Sequence, residues 1–253
     1  MAGTNTVKSI IKAFAVIEEL EKKGAMSIGE LSLSLSMDKS TVHRIVNTIK
    51  EAGYITQSNE NQKYENSIKL FEAGQGVIER AGLGSAARPH LESMAQMTGE
   101  TVNLAMRMEH QVIFIDKIES KSTIKVGINI GTVIPIYCTG IGKAVFAFVP
   151  EEERCTLLKS IKFDKFTENT VTDPDLIAEQ LKMIKKDGYS VDMEEYVHGL
   201  ICFGAPILDH KAMPIAAVSI SLPTLRFTKE VGDEYPKLVK EAALRISRHM
   251  GYN

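Results

Sequence analysis

The chain has 253 residues, is 44% hydrophobic and 25% charged, and carries a formal net charge of -2. That length holds one large domain or two ordinary ones, and the composition excludes a disordered or fibrous chain. The near-neutral balance excludes recognition of a polyanion by overall charge, so such a partner would have to meet a local patch. Cys138, Cys155 and Cys202 stand far apart without a C-x-x-C pair, which argues against a zinc ribbon or a disulfide framework and fits a reducing cytoplasm. No run reaches the roughly 18 apolar residues of a membrane span. The N-terminus has no signal-peptide pattern, so a cytoplasmic protein without a membrane partner is expected.

Residues 7–23 have helical spacing, with Val7, Ile10, Ile11, Phe14, Ile17 and Leu20 as the apolar stripe and Gly24 as the stop. "SIGE" pairs Ser27 with Glu30 as a capping box for a second helix carrying Ile28, Leu31 and Leu35. Met37 and Asp38 make the turn, with Asp38 as the N-cap of the next helix. In that helix Val42, Ile45, Val46 and Ile49 form the apolar stripe. Gly53 ends it, and "YITQ" and "KYEN" around the polar tip "SNENQ" read as a β-hairpin. The order helix, helix, tight turn, helix, hairpin over residues 1–67 is a winged helix-turn-helix. Residues 68–84 follow as an amphipathic linker helix with Ile68, Phe71, Val77 and Ile78 at its apolar positions.

Residues 85–253 have a different pattern. A helix stops at Gly99; "TVNLAMRM" and "QVIFIDKI" form a strand hairpin; "TIKVGINI" and "VIPIYC" are further strands. "GIGKAVFAFV" opens a helix at a glycine-rich turn. Asp173, Pro174 and Gly188 punctuate the next helix as cap, first-turn residue and stop. "ICFGAPIL" and "PIAAVSISLP" are buried-type strands, and a long helix closes the chain. The whole is α+β, with a mainly antiparallel sheet in the second domain.

Two constellations carry chemistry. In the third helix, no acidic residue stands between Lys39 and Lys50. Ser40, Arg44 and Asn47 can bond base edges, and Lys39, Ser40 and Thr41 sit where a helix start favours phosphate. An ordinary solvated face has the same composition. The preceding capped helix, the short turn and the hairpin tip the reading towards the DNA major groove, with Ser40, Thr41, His43, Arg44 and Asn47 facing it and Lys39, Lys50 and Lys63 on phosphate. In the second domain, the helix start in "YCTGIGKAVF" could hold a carboxylate. Asp192, Cys202, Ser219 and Ser221 are small polar groups on apolar strands, the make-up of a small-ligand site or of plain edge polarity. "YCTGIGKAVF" is not a nucleotide-binding P-loop, since Ala144 follows Lys143. Cys138 or Cys202 with His198 lacks the setting of a nucleophile and base, and the spacing of His198 and Cys202 is a poor metal pair. No enzyme, cofactor or metal is expected.

"KSTVHRIVNTIKEAGYI", "IPIYCTGIGKAVFAF" and "GYSVDMEEYVHGLICFGAPI" with "AAVSISLP" together resemble the IclR family of bacterial transcriptional regulators over nearly the whole chain. The resemblance implies a winged-helix domain, a linker helix and an effector-binding domain related to GAF and profilin-like folds. It implies homodimers, often paired into tetramers, on a palindromic operator in double-stranded DNA. It also implies an effector pocket in which the Gly140 and Ile141 amides face a ligand carboxylate. Asp192, Cys202, Ser219 and Ser221 would line it, with Ile134 and Leu200 as apolar walls. Ile141 stands where many members have alanine. "KYENSIKLFEAG", "SISLPTLRFTKE" and "RISRHMGY" resemble the KdgR group, which implies repression of pectin and hexuronate catabolism released by 2-keto-3-deoxygluconate. Another catabolic operon, with an aromatic acid, glyoxylate or pyruvate as ligand, is the alternative within the family. An enzyme or protein-binding sensory module is the alternative outside it.

Overall fold

Caps and turns shape the first part of the computed structural model, which describes residues 6–80, 82–125 and 128–252, with the backbone alone at 75 and 77–80. The chain divides into two compact units, Met1–Arg80 and Ala81–Asn253. The first contains α1 (Lys8–Lys23), α2 (Ile28–Ser34), α3 (Lys39–Glu51), β1 (Ile55–Gln57), β2 (Tyr64–Asn66) and α4 (Ile68–Arg80). The capping box is formed: the Ser27 amide donates to Glu30 Oε2 at 2.7 Å and the Glu30 amide to Ser27 Oγ at 3.3 Å. Each bond satisfies an amide that helix geometry leaves without a partner. Asp38 occupies the N-cap position of α3, but its side chain makes no capping bond. β1 and β2 pair antiparallel, and Met26 bridges to Tyr64 beside them.

Val16, Leu20, Leu31, Val42, Val46 and Ile55 form the core of this unit. The expected stripe of α1 divides. Leu20 and half-buried Ile17 face inward with Val16, whereas Val7, Ile10, Ile11 and Phe14 are 57%, 54%, 56% and 59% exposed. At 3.6 residues per turn these four lie on the side of α1 opposite Val16, so the helix has two apolar faces and its own unit covers one. Val77 and Ile78 of the linker lie outside the described side chains.

The second unit contains α5 (Leu83–Thr98), β3 (Thr101–Met108), β4 (Gln111–Ile118), β5 (Val133–Pro135), α6 (Gly140–Phe148), α7 (Glu151–Ser160), α8 (Pro174–Asp187), β6 (Ser190–Met193), β7 (Leu200–Leu208), β8 (Pro214–Pro223) and α9 (Lys229–His249). The strands form one sheet in the order β5-β4-β3-β8-β7-β6, and each pairing is antiparallel. Val102, Leu104, Ile201, Phe203, Val218 and Ile220 point to one face, where residues of α5 and α9 cover them. Ala105, Phe114 and Ala217 point to the other, beside Ile141, Val145 and Phe146 of α6 and Ile177 and Leu181 of α8. β7 is buried along its whole length because both faces are covered. Asp173 caps α8 by accepting from the Asp175 amide at 2.8 Å, and Gly188 ends it at φ 79°.

Three expectations change. The described part of residues 123–130 is not a strand, and "VIPIYC" contributes only Val133–Pro135. α7 was not legible in the sequence, because its few apolar residues make no continuous stripe and none is buried. Among the described residues no helix is long and apolar enough to cross a membrane.

Candidate functional site

α3 turns Val42, Val46 and Ile49 inward and leaves Lys39, Ser40, His43, Arg44 and Lys50 exposed, with Thr41 and Asn47 half-buried. All the expected residues of this helix therefore lie off its buried stripe. The Asn47 amide nitrogen lies 3.3 Å from His43 Nδ1, one helical turn away. Thr48 Oγ1 donates to the Arg44 carbonyl at 2.8 Å, and the guanidinium extends from an exposed position. Lys50 Nζ donates to Gln57 Oε1 at 2.8 Å, and Lys63 Nζ to Glu30 Oε1 at 3.0 Å. Both lysines thus tie the hairpin to the helices. A surface pair of this kind contributes little net stability, so exchanging Glu30 for a phosphate oxygen costs little. The Ser27 amide, then Lys63, holds the Glu30 carboxyl at about 2, so its charge persists at neutral pH.

In the second unit, α6 starts directly on the sheet. The Gly142 amide donates to Thr139 Oγ1 at 3.1 Å and the Lys143 amide to the Thr139 carbonyl at 2.8 Å. The Gly140 and Ile141 amides of the first turn have no acceptor within the helix. Glycine is required on both sides of the contact with β7. A Cβ on Gly140 would stand 2.9 Å from the Cys202 carbonyl, and one on Gly204 would stand 2.5 Å from the Gly140 carbonyl. The Ser190 hydroxyl donates to that same carbonyl.

Strand register places the polar groups opposite this helix start. Asp192 pairs with Cys202, Cys202 with Ser221, and Ser221 with Thr101. One step along, Ser190 pairs with Gly204, Gly204 with Ser219, and Ser219 with Asn103. Alternation puts both rows on one face of the sheet. All these side chains are buried. Cys202 Sγ lies 3.2 Å from Ser221 Oγ. Asp192 Oδ1 accepts from the Glu195 amide at 2.7 Å. Burial pushes the Asp192 carboxyl up to about 7, against the pull of that amide and the Lys143 ammonium. Lys143 and Glu195 form a buried ion pair beside it. Glu195 is further held through its carbonyl, which accepts from Thr170 Oγ1 at 2.6 Å.

The structure therefore brings together Gly140, Ile141, Asp192, Cys202, Ser219 and Ser221. Leu200 shares their face of β7, two residues from Cys202. Ile134, on β5, pairs with Val112 of β4 and lies in the same apolar cluster as Ile141. Sequence reasoning missed Asn103, Ser190 and the Lys143–Glu195 pair. The available signals were a polar residue at an inward position of "TVNLAMRM" and a lone lysine inside the apolar run "GKAVFAF".

A nucleophile is not built here. Burial raises the thiols of Cys138 and Cys202 well above the usual range, which suppresses the reactive thiolate. His198 is exposed and lies 3.3 Å from Glu168. Among the described residues no group of three or more His, Cys, Asp or Glu could hold a metal. What the site offers is first-turn amides for an anionic oxygen and a row of hydroxyl, amide and carboxyl groups for further hydrogen bonds.

The family model described as the IclR helix-turn-helix domain matches residues 9–59, and that described as the bacterial transcriptional regulator IclR C-terminal matches residues 75–248. The chain is 34% identical to the HTH-type transcriptional regulator KdgR of Escherichia coli over 98% of its length and 95% of the relative's. It is 33% identical to KdgR of Dickeya chrysanthemi over 98% of this chain and 82% of that one. The crystal structure of the Thermotoga maritima IclR is similar with a TM-score of 0.78 and 34% identity, over 97% of this chain and 99% of that one.

Proposed function

The chain belongs to the IclR family of bacterial transcriptional regulators, and we propose that it represses sugar-acid catabolism and leaves its operator on binding 2-keto-3-deoxygluconate or a similar small keto acid. As a family member it is a DNA-binding regulator with an effector-binding domain, and not an enzyme. The observation that carries the effector reading is the buried polar row facing the α6 start. The Gly140 and Ile141 amides take the ligand carboxylate, while Asp192, Ser219 and Ser221 take its carbonyl and hydroxyl groups. Cys202 and Leu200 close the pocket around it. The likeness to two KdgR proteins over nearly the full chain supports the choice of acid.

In the first unit Ser40, Thr41, His43, Arg44 and Asn47 meet the major groove, and Lys39, Lys50 and Lys63 meet phosphate. Residues 1–67 are the reading head, 68–84 the linker and 85–253 the effector-binding domain. The uncovered face of α1, with Val7, Ile10, Ile11 and Phe14, supports a homodimer, which can pair again into a tetramer. Two-fold symmetry then matches a palindromic site. Release requires that the acid bind more tightly to the conformer that fits DNA poorly.

The test begins by selecting bound duplexes from a random library with the purified protein. Arg44→Ala is expected to lower affinity for the selected duplex about tenfold or more, the cost of one bidentate base contact, and to leave stabilisation by the acid unchanged. 2-Keto-3-deoxygluconate is expected to release the duplex, while pyruvate, glyoxylate and 4-hydroxybenzoate do not. Enrichment of no sequence rejects specific operator reading, and release by one of the other acids replaces the pathway.

A further inference from the structure

The second row on the effector face does not stop at Ser219. It continues to Asn103 on β3 and then to Lys117 on β4. Asn103 is 3% exposed, and its Nδ2 donates to Ser219 Oγ at 3.3 Å and to Ser221 Oγ at 3.1 Å. Its neighbours on this face are committed elsewhere. Thr101 Oγ1 accepts from the Ser120 amide at 3.2 Å, and Lys117 Nζ is bonded to Glu119 Oε1 at 2.6 Å. An amide that donates to both hydroxyls leaves each serine its own O–H to give. Asn103 thus fills one acceptor position on each serine oxygen, and its own carbonyl is a further acceptor in the row.

Position adds a length. The α6 start lies over Cys202 and Gly204 on β7, and Asn103 is two strands away across β8. Two interstrand spacings are about 9–10 Å. An extended six-carbon chain covers about 6 Å, and one hydrogen bond of about 3 Å at its far end closes the distance. A two- or three-carbon acid held at the α6 amides reaches the β8 serines and no further.

We infer that Asn103 is an effector-contacting residue that selects for the length of the acid, reading a hydroxyl group on the far end of a polyhydroxylated chain of about six carbons. This rests on the effector reading given above, and it adds a residue and a criterion that reading does not contain.

The experiment is calorimetric titration of the full-length protein and of Asn103→Ala and Asn103→Thr with 2-keto-3-deoxygluconate, gluconate and pyruvate. Melting temperatures establish that the variants are folded. The expected result is a six-carbon acid bound at least about tenfold more weakly by Asn103→Ala, with pyruvate affinity changed less than about twofold. Asn103→Thr, which restores a hydroxyl without the reach of the amide, is expected to recover little of the loss. An equal loss for long and short acids overturns the inference and makes Asn103 a support for the serines. Unchanged affinities overturn it as well. A wild-type protein that binds none of the three acids removes the effector reading itself, and the inference with it.

Discussion

Between Cys202 and the Glu195 amide, Asp192 has one oxygen bonded at 2.7 Å and is 1% exposed. In water its carboxyl would lose its proton near 3.8, whereas burial raises that point to about 7 in the folded chain. Between these two values the folded state holds a proton that the unfolded state has released. Stability from this group is therefore full below the lower value, falls as pH rises, and levels off above the higher one. Asp192→Asn keeps the shape and cannot ionise, so it removes that slope. We expect the melting temperature of the variant to gain on the wild type between about pH 5 and about pH 8. A constant difference across that range would place the native proton elsewhere. The same chemistry bears on the proposed function, because the neutral form of Asp192, which dominates below about pH 7, does not repel an anionic ligand.

At the scale of elements, the contact of α6 with β7 sets the geometry of the proposed effector site. Two glycines let a helix start and a strand approach backbone to backbone, as the 2.5 Å from a Gly204 Cβ to the Gly140 carbonyl makes plain. Gly204→Ala must lift the helix start or bend β7, because the opposing atom is backbone and cannot rotate away. The expected cost is about 1–3 kcal/mol of stability, the usual range for overpacking, and the loss of any melting shift with a keto acid. Because α3 belongs to the other compact unit, affinity for a selected duplex in the absence of acid should stay within about twofold. A variant that still responds to the acid would show that the amides of α6 are not what holds it. α3 itself needs no such approach. Its polar side follows from helical spacing alone, which is why the residues expected from the sequence all lie off its buried stripe.

At the scale of the whole molecule, one half of α1 is apolar and left uncovered by the described residues of its own unit. Four large apolar side chains more than half exposed are a poor surface for a monomer. Replacing Ile10 by Lys together with Phe14 by Glu changes no core contact of the unit. Sedimentation is expected to show the wild-type dimer and a monomeric variant with the same melting behaviour of the single chain. Affinity for the selected duplex is expected to fall with it, because the two half-sites of the proposed palindrome no longer bind one ligand. A variant of unchanged mass would assign that face to something other than self-association.

The sequence by itself determined what depends on neighbours a few residues away. The Ser27–Glu30 box, the Asp173 cap and the Gly188 stop are local hydrogen bonds and backbone preferences, and each is formed where the sequence implies it. The outward face of α3 belongs to the same class. Tertiary structure decided what depends on register and close approach. Asn103 meets Ser221 across 118 residues, and Lys143 finds Glu195 across 52. Both faces of α1 are apolar, and only packing selected which of them its own unit covers. Ile134 stands on a short edge strand, and only strand pairing brought it into the apolar cluster that also holds Ile141. Local spacing can say that a side chain lies on one face of a strand. It cannot say which strand lies beside it, because that choice is made by the burial of all the strands together.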